Sequence, residues 1–184
     1  MSAAAATLAG MLTPPGPPLD VAELTRVAGE AEVLPAFLDY QRMALRHKVA
    51  GVSEADARRR LVPSQTTLGG LLRHMAAVER NWFQRVLARR SPEEIDGEAT
   101  GGTESWHVPD DLTVADLLAE YDRACEESRR IAAAHRLDDT APHRRLGEVS
   151  LRWIYVHMIE ETARHAGHAD ILREQIDGAT GDNF

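Results

Sequence analysis

Four segments of the chain place apolar residues at the spacing of an α-helix, and almost no stretch alternates as a strand does. The segments cover about 32–49, about 67–90, the residues following Thr113, and the residues after Ser150 as far as Asp177. With 184 residues, the chain can build one ordinary core but hardly two. We therefore predict an all-α fold, a four-helix bundle in a single domain over residues 21–184.

Capping signals fix several helix ends. Thr113 precedes Asp116 by three residues, which predicts a capping box at the start of the third helix. Ser53 is suited to cap a short helical turn before Pro63. Gly178 follows the last helical segment, where glycine commonly ends a helix.

Two segments lack helical periodicity. Residues 1–20 are rich in Ala, Pro and Gly, which predicts a disordered N-terminal arm. Residues 91–110 are rich in Gly, Pro and acidic residues, and they predict a long exposed loop between the second and third helices. Trp106 and His107 in this loop either close over a site on the bundle or only anchor the loop.

Composition excludes several classes of protein. A formal net charge of -8 argues against a nucleic-acid partner, because phosphate binding needs a basic face. The apolar stretches are shorter than the roughly 20 residues that a membrane span needs. The first residues lack the basic region of a signal peptide, so we expect a cytoplasmic protein. Cys125 is the only cysteine, which excludes an intramolecular disulfide, and its helical context predicts a core position.

The fourth helix carries residues with the chemistry of metal ligands. Glu161, His165 and His168 stand at i, i+4 and i+7 and therefore share one helix face. The same face continues towards the N-terminus as an apolar stripe, so the three should point to the bundle interior. Imidazole and carboxylate together suit zinc and other divalent transition metals. The alternative is a solvated helix end, since helices often expose such histidine pairs.

His74 on the second helix is a candidate ligand from a different helix. It lies on or beside an apolar stripe, one turn after Gly69 and Gly70, which indicate a cavity or a close helix approach. Taken alone, a histidine on such a face is more often an ordinary core or boundary residue.

Two stretches together carry a family resemblance. "LGGLLRHMAAVERNWF" and, about 70 residues later, "WIYVHMIEETARHAGHADILREQIDG" resemble the DinB/YfiT-like superfamily. The resemblance covers roughly residues 31–178 and is to the actinobacterial branch, which includes mycothiol-dependent S-transferases and maleylpyruvate isomerases. It implies a four-helix bundle with an open divalent metal site.

The resemblance also implies a ligand set. It assigns one ligand to His74 and two to the last helix, at Glu161 and His165, with Gly167 on the glycine of the family pattern. Glutamate at 161 departs from the common form, which has histidine there. His168 could replace or join Glu161, so both sets stay open.

The implied function is a metal-dependent thiol S-transferase. A divalent metal, zinc before nickel, iron or manganese, would activate mycothiol for attack on a small electrophile. Two other functions remain: a metal-dependent hydrolase that uses activated water, and a non-catalytic, stress-related protein that binds a metal or small molecule. The sequence leaves a homodimer open.

Overall fold

The computed structural model describes residues 26–180, which are mostly helical with one small sheet. The arm predicted over 1–20 lies outside the described residues. The helices and strands are α1 (Glu30–Val49), α2 (Glu54–Ala57), α3 (Leu68–Glu79), α4 (Val114–Ala132), β1 (Thr140–His143), β2 (Gly147–Ser150) and α5 (Leu151–Asp177).

Local hydrogen bonds fix the helix ends at the predicted residues. The Thr113 hydroxyl accepts from the Asp116 backbone N–H at 3.1 Å, and the Asp116 carboxylate accepts from the Thr113 backbone N–H at 2.9 Å. This is the predicted capping box, which satisfies two N–H groups that lack helical partners. The predicted cap by Ser53 is also confirmed. Gly178 ends α5 with φ 78°, in the left-handed region that favours glycine.

The second long helix differs from the prediction in its last turns. After Glu79 the chain continues as a π-helix over Arg80–Leu87, and it ends at Leu87 and not near residue 90. The Ala88 N–H donates to the Phe83 carbonyl, five residues back, at 2.9 Å. Eight residues are too few for apolar spacing to distinguish a π-helix from an α-helix.

The described structure is mostly helical, as expected, but a small two-stranded sheet lies between the third and fourth long helices. There β1 and β2 form an antiparallel hairpin, with Ala141 opposite Val149. Both of these side chains are buried. The strands have four residues each and β1 contains Pro142, so neither shows the alternation that would predict it.

The long helices bury their apolar faces against one another. α1 packs along α5, α3 packs along α4, and α3 also contacts α5. Leu71 and Met75 of α3, and Ile154 and Met158 of α5, are fully buried in the resulting core. The α3–α5 contact matters most for function, because it brings together the candidate ligands on these helices. None of the helices within 26–180 is long and apolar enough to cross a membrane.

The connection over 91–110 is present as predicted, but it is not wholly exposed. It contains two single turns of 3-10 helix, at Pro92–Glu94 and Thr103–Trp106. Ile95 and Ser105 are buried, and the second turn packs on α3.

A buried ion pair fastens α1 to α3. Arg42 Nε donates to Glu79 Oε1 at 2.7 Å, and Arg42 Nη2 donates to Glu79 Oε2 at 2.6 Å. Arg42 is 4% exposed and Glu79 is 0% exposed. Burying two charges is unfavourable unless both are fully satisfied, and this bidentate geometry satisfies them.

Replacement of Glu79 by Gln should strongly destabilise the fold. The variant leaves the buried Arg42 guanidinium with Asp39 as its remaining carboxylate in the described structure. We expect a loss of about 3–5 kcal/mol in the free energy of unfolding, measured by urea denaturation. The control is Glu126→Gln, because Glu126 pairs with Arg129 while 77% exposed, and there the loss should stay below about 1 kcal/mol. Equal losses in the two variants would contradict this account of the core.

Candidate metal centre

Three of the four predicted ligands meet where α3 crosses α5. His74 comes from α3, and Glu161 and His165 come from α5. Each offers one ligand atom, and these atoms all lie within 4.8 Å of one another. The two histidines are buried, whereas the Glu161 side chain is 18% exposed. The group therefore lies at the edge of the core, reachable from one side.

The Glu161 carboxylate lies between the two imidazoles. Its Oε1 atom is 3.2 Å from His165 Nε2 and 3.9 Å from His74 Nε2. The His74 and His165 rings are in an edge-to-face arrangement, with their centroids 5.0 Å apart. Both rings thus present the same nitrogen, Nε2, to the same carboxylate oxygen.

The nearer imidazole favours the ionised form of this carboxylate. Interaction with His165 holds the pKa of the Glu161 carboxyl well below its usual range, although partial burial opposes the shift. Arg164 Nη1 is 3.5 Å from the other oxygen, Oε2. Glu161 is therefore a carboxylate at physiological pH, which is the form that binds a metal.

These three residues fit a divalent metal ion. Zinc binds imidazole nitrogen and carboxylate oxygen at about 2.0–2.2 Å, so two ligands of a tetrahedral ion lie about 3.4 Å apart. The 3.2 and 3.9 Å separations lie on either side of that value. Three protein ligands would leave a fourth position of a tetrahedral ion open, as catalytic zinc sites do.

The fourth predicted ligand, His168, is not among this group of three. Its Nδ1 atom lies 3.4 Å from His165 Nδ1, the ring nitrogen that does not contact Glu161. Burial first, and then the neighbouring His165, lower the pKa of His168. A neutral His168 can accept a hydrogen bond from His165 Nδ1–H, and such a bond would leave Nε2 of His165 free for a metal.

The 91–110 loop supplies two residues that touch His74. The Trp106 indole stacks on the His74 ring, with centroids 4.1 Å apart and planes at 17°. Trp106 is therefore more than a loop anchor, because it covers one face of a candidate ligand. The Ser105 hydroxyl lies 2.9 Å from His74 Nδ1. Sequence reasoning missed Ser105, since a serine in a loop carries no signal for a partner 31 residues away.

A glycine on α3 permits this close approach of the loop. A Cβ atom at Gly70 would lie 2.9 Å from the Trp106 carbonyl oxygen and 3.0 Å from Thr67 Oγ1. Arg73 also donates a hydrogen bond to the His107 carbonyl, which holds the loop after Trp106. The sequence indicated a cavity or a close helix approach here; the structure has a close approach of the loop.

Several secondary candidates lie around the group without joining it. His157, one turn before Glu161, stacks on Trp153 with centroids 5.1 Å apart. Arg164 bonds mainly to Glu160 and lies at the outer side of Glu161. Asp170 lies 2.9 Å from the Lys48 amine of α1 and not at the candidate centre.

Comparison with known proteins assigns the family. The family model described as mycothiol-S-transferase matches residues 33–178, more than three quarters of the chain.

The chain belongs to the mycothiol S-transferase family.

This result confirms the resemblance seen in the sequence, and the match includes His74, Glu161 and His165. No curated protein matched the sequence.

In this mycothiol S-transferase family member, replacement of Gly70 by Ala should disturb the packing of the loop that covers His74. The new Cβ atom would overlap the Trp106 carbonyl, so we expect a loss of about 1–3 kcal/mol in the free energy of unfolding, measured in urea. The matched control is Gly167→Ala on α5, where nothing lies within 4 Å of the added Cβ. That variant should gain about 0.5–1 kcal/mol, because alanine favours helix. A Gly70→Ala protein as stable as Gly167→Ala would rule out the tight contact.

Proposed function

We propose that the chain is a metal-dependent mycothiol S-transferase in which His74, Glu161 and His165 hold a divalent ion. The observation that carries this proposal is the convergence of these side chains from two helices, within 4.8 Å, in a member of this family. Zinc is the first expectation for such ligands, and nickel, iron or manganese could bind the same set.

A bound divalent metal would supply one piece of chemistry, namely thiolate at neutral pH from a coordinated low-molecular-weight thiol. The protein's own residues would hold the ligand atoms in place. His74 and His165 present Nε2, and Glu161 adds a negative charge that partly neutralises the cation. Trp106 and the buried core below it limit water on one side. The partly exposed side of Glu161 would leave room for the thiol and the electrophile.

The thiol must come from outside the protein. Cys125, the only cysteine, lies in the core at 3% exposure, as its helical context predicted. Burial raises its pKa strongly, so it stays a neutral thiol. A small-molecule thiol such as mycothiol fits a chain without an accessible cysteine of its own.

We also propose that the four long helical segments form a DinB-like four-helix bundle that carries this site. The contacts of α1 with α5 and of α3 with α4 support four long helical segments packed around one core. In that arrangement the second and fourth segments carry the ligands.

The family match favours neither of the other two functions. A hydrolase would use the same three ligands to activate water, and a binding protein would use them without a reaction. Both keep the metal and differ in the need for a thiol, so measurements of metal and thiol separate them.

Metal content tests the ligand set. Wild-type protein, loaded with zinc and desalted, should retain near-stoichiometric metal by elemental mass spectrometry. His74→Ala and His165→Ala should each lose most of it, because two remaining ligands bind zinc weakly, while the helical circular dichroism signal survives. Zinc retained by His74→Ala would remove His74 from the assignment.

The matched comparison is Glu161→Gln beside His168→Asn, which separates the two ligand sets that the sequence left open. If Glu161 is the ligand, Glu161→Gln loses metal, and His168→Asn keeps it with an affinity lowered at most 10- to 100-fold. The reverse pattern would assign His168 to the metal.

Thiol binding tests the chemistry without requiring the electrophile. Cobalt-loaded protein titrated with mycothiol should develop the near-ultraviolet absorption of a cobalt–thiolate bond. The control ligand is mycothiol with its thiol replaced by hydroxyl, and the control protein is Cys125→Ser, which should respond as wild type does. An unchanged spectrum with mycothiol would contradict thiol activation, and thiol-independent ester hydrolysis would then favour the hydrolase.

A further inference from the structure

The buried side chain of Ser105 makes two hydrogen-bond contacts. It lies on the 3-10 turn Thr103–Trp106 and is 1% exposed. Its hydroxyl oxygen is 2.5 Å from the Gly102 carbonyl oxygen and 2.9 Å from His74 Nδ1.

The positions of the hydrogen atoms follow from these two contacts. A carbonyl oxygen can only accept, so the 2.5 Å contact requires the Ser105 hydroxyl to donate its single hydrogen to Gly102. The hydroxyl oxygen can then only accept from His74. Nδ1 of His74 must therefore carry hydrogen. In a neutral imidazole this leaves Nε2 as a bare lone pair.

The lone pair of His74 faces the candidate metal centre, because Nε2 is the atom that lies 3.9 Å from the Glu161 carboxylate. We propose that Ser105 is a positioning residue that fixes His74 as the Nδ1–H tautomer and presents Nε2 for metal binding. The role toward a metal rests on the proposed function, whereas the tautomer does not.

Trp106 completes the restraint on the same ring. Its indole lies against the face of His74 while Ser105 holds one edge, so neighbouring residues of one turn limit both rotation and tilt of the imidazole. The turn is itself held on α3, through the close contact of the Trp106 carbonyl at Gly70 and the bond from Arg73 to the His107 carbonyl. The loop between α3 and α4 thus acts on the site through His74.

Measurement of the His74 tautomer in the metal-free protein tests this proposal. Long-range proton–nitrogen NMR at about pH 8, where ordinary histidines are neutral, distinguishes protonated from bare ring nitrogens. The His74 signals are assigned by their loss in His74→Gln. We expect a protonated Nδ1 and a bare Nε2 in wild type. A His74 protonated at Nε2 in wild type would overturn the proposal without any further variant.

Variants of Ser105 test the cause. Ser105→Ala removes the acceptor and should shift His74 towards the Nε2–H form, whereas Ser105→Thr keeps the hydroxyl and should retain the wild-type pattern. The matched control is Ser128→Ala, because Ser128 is also fully buried and donates to a backbone carbonyl, that of Ala124, at 2.9 Å. An unchanged His74 pattern in folded Ser105→Ala would overturn the proposal. If Ser105→Ala does not fold, a wild-type pattern in Ser105→Thr supports the proposal and a switched pattern contradicts it.

Zinc titration adds a measurement of affinity, which would not change if Ser105 only stabilised the fold. Ser105→Ala should bind zinc about 10- to 100-fold more weakly, since a misplaced hydrogen blocks Nε2. Ser105→Thr and Ser128→Ala should bind as wild type does. Equal zinc affinity in Ser105→Ala and Ser128→Ala would contradict the role toward the metal. Failure of wild type to bind zinc would instead contradict the proposed function, and the NMR result would still decide the tautomer.

Discussion

The site depends on one electrostatic requirement, a carboxylate held among buried imidazoles. Glu161 lies at the edge of the core with two Nε2 atoms 3.2 and 3.9 Å from one of its oxygens. A negative charge in such a place needs positive or hydrogen-bonding partners. His165, one turn further along α5, provides one, and the crossing of α3 over α5 adds His74, which gives the three residues the donor set of a divalent metal centre.

Glu79 and Glu161 differ in their burial and in their partners. Glu79 is fully buried, and a bidentate guanidinium satisfies both of its oxygens. Glu161 is partly exposed, and the nearest guanidinium, that of Arg164, bonds mainly to Glu160. The protein therefore keeps one carboxylate closed within the core and leaves the other open on one side.

The loop between α3 and α4 is as much a part of the site as the helices are. Its single turn at Thr103–Trp106 contacts His74 through a hydroxyl at one edge and an indole at one face. Loops commonly carry function on a rigid helical scaffold. Here the scaffold carries the candidate ligand atoms and the loop contacts the ring of His74, in a member of the mycothiol S-transferase family whose own cysteine is buried.

The sequence by itself determined the long helices, several of their caps, and the helix face shared by Glu161 and His165, because helical spacing and capping are local properties of the chain. It also placed His74 on a buried helix and Cys125 in the core. Only the tertiary structure decided that His74 meets Glu161 and that His168 stands behind His165. The tertiary structure likewise decided that Ser105 and Trp106 contact His74. It also decided the hairpin before α5 and the π-helical turns after Glu79. These features depend on contacts between residues far apart in the chain, or on differences in backbone hydrogen bonding that a short stretch of side chains does not encode.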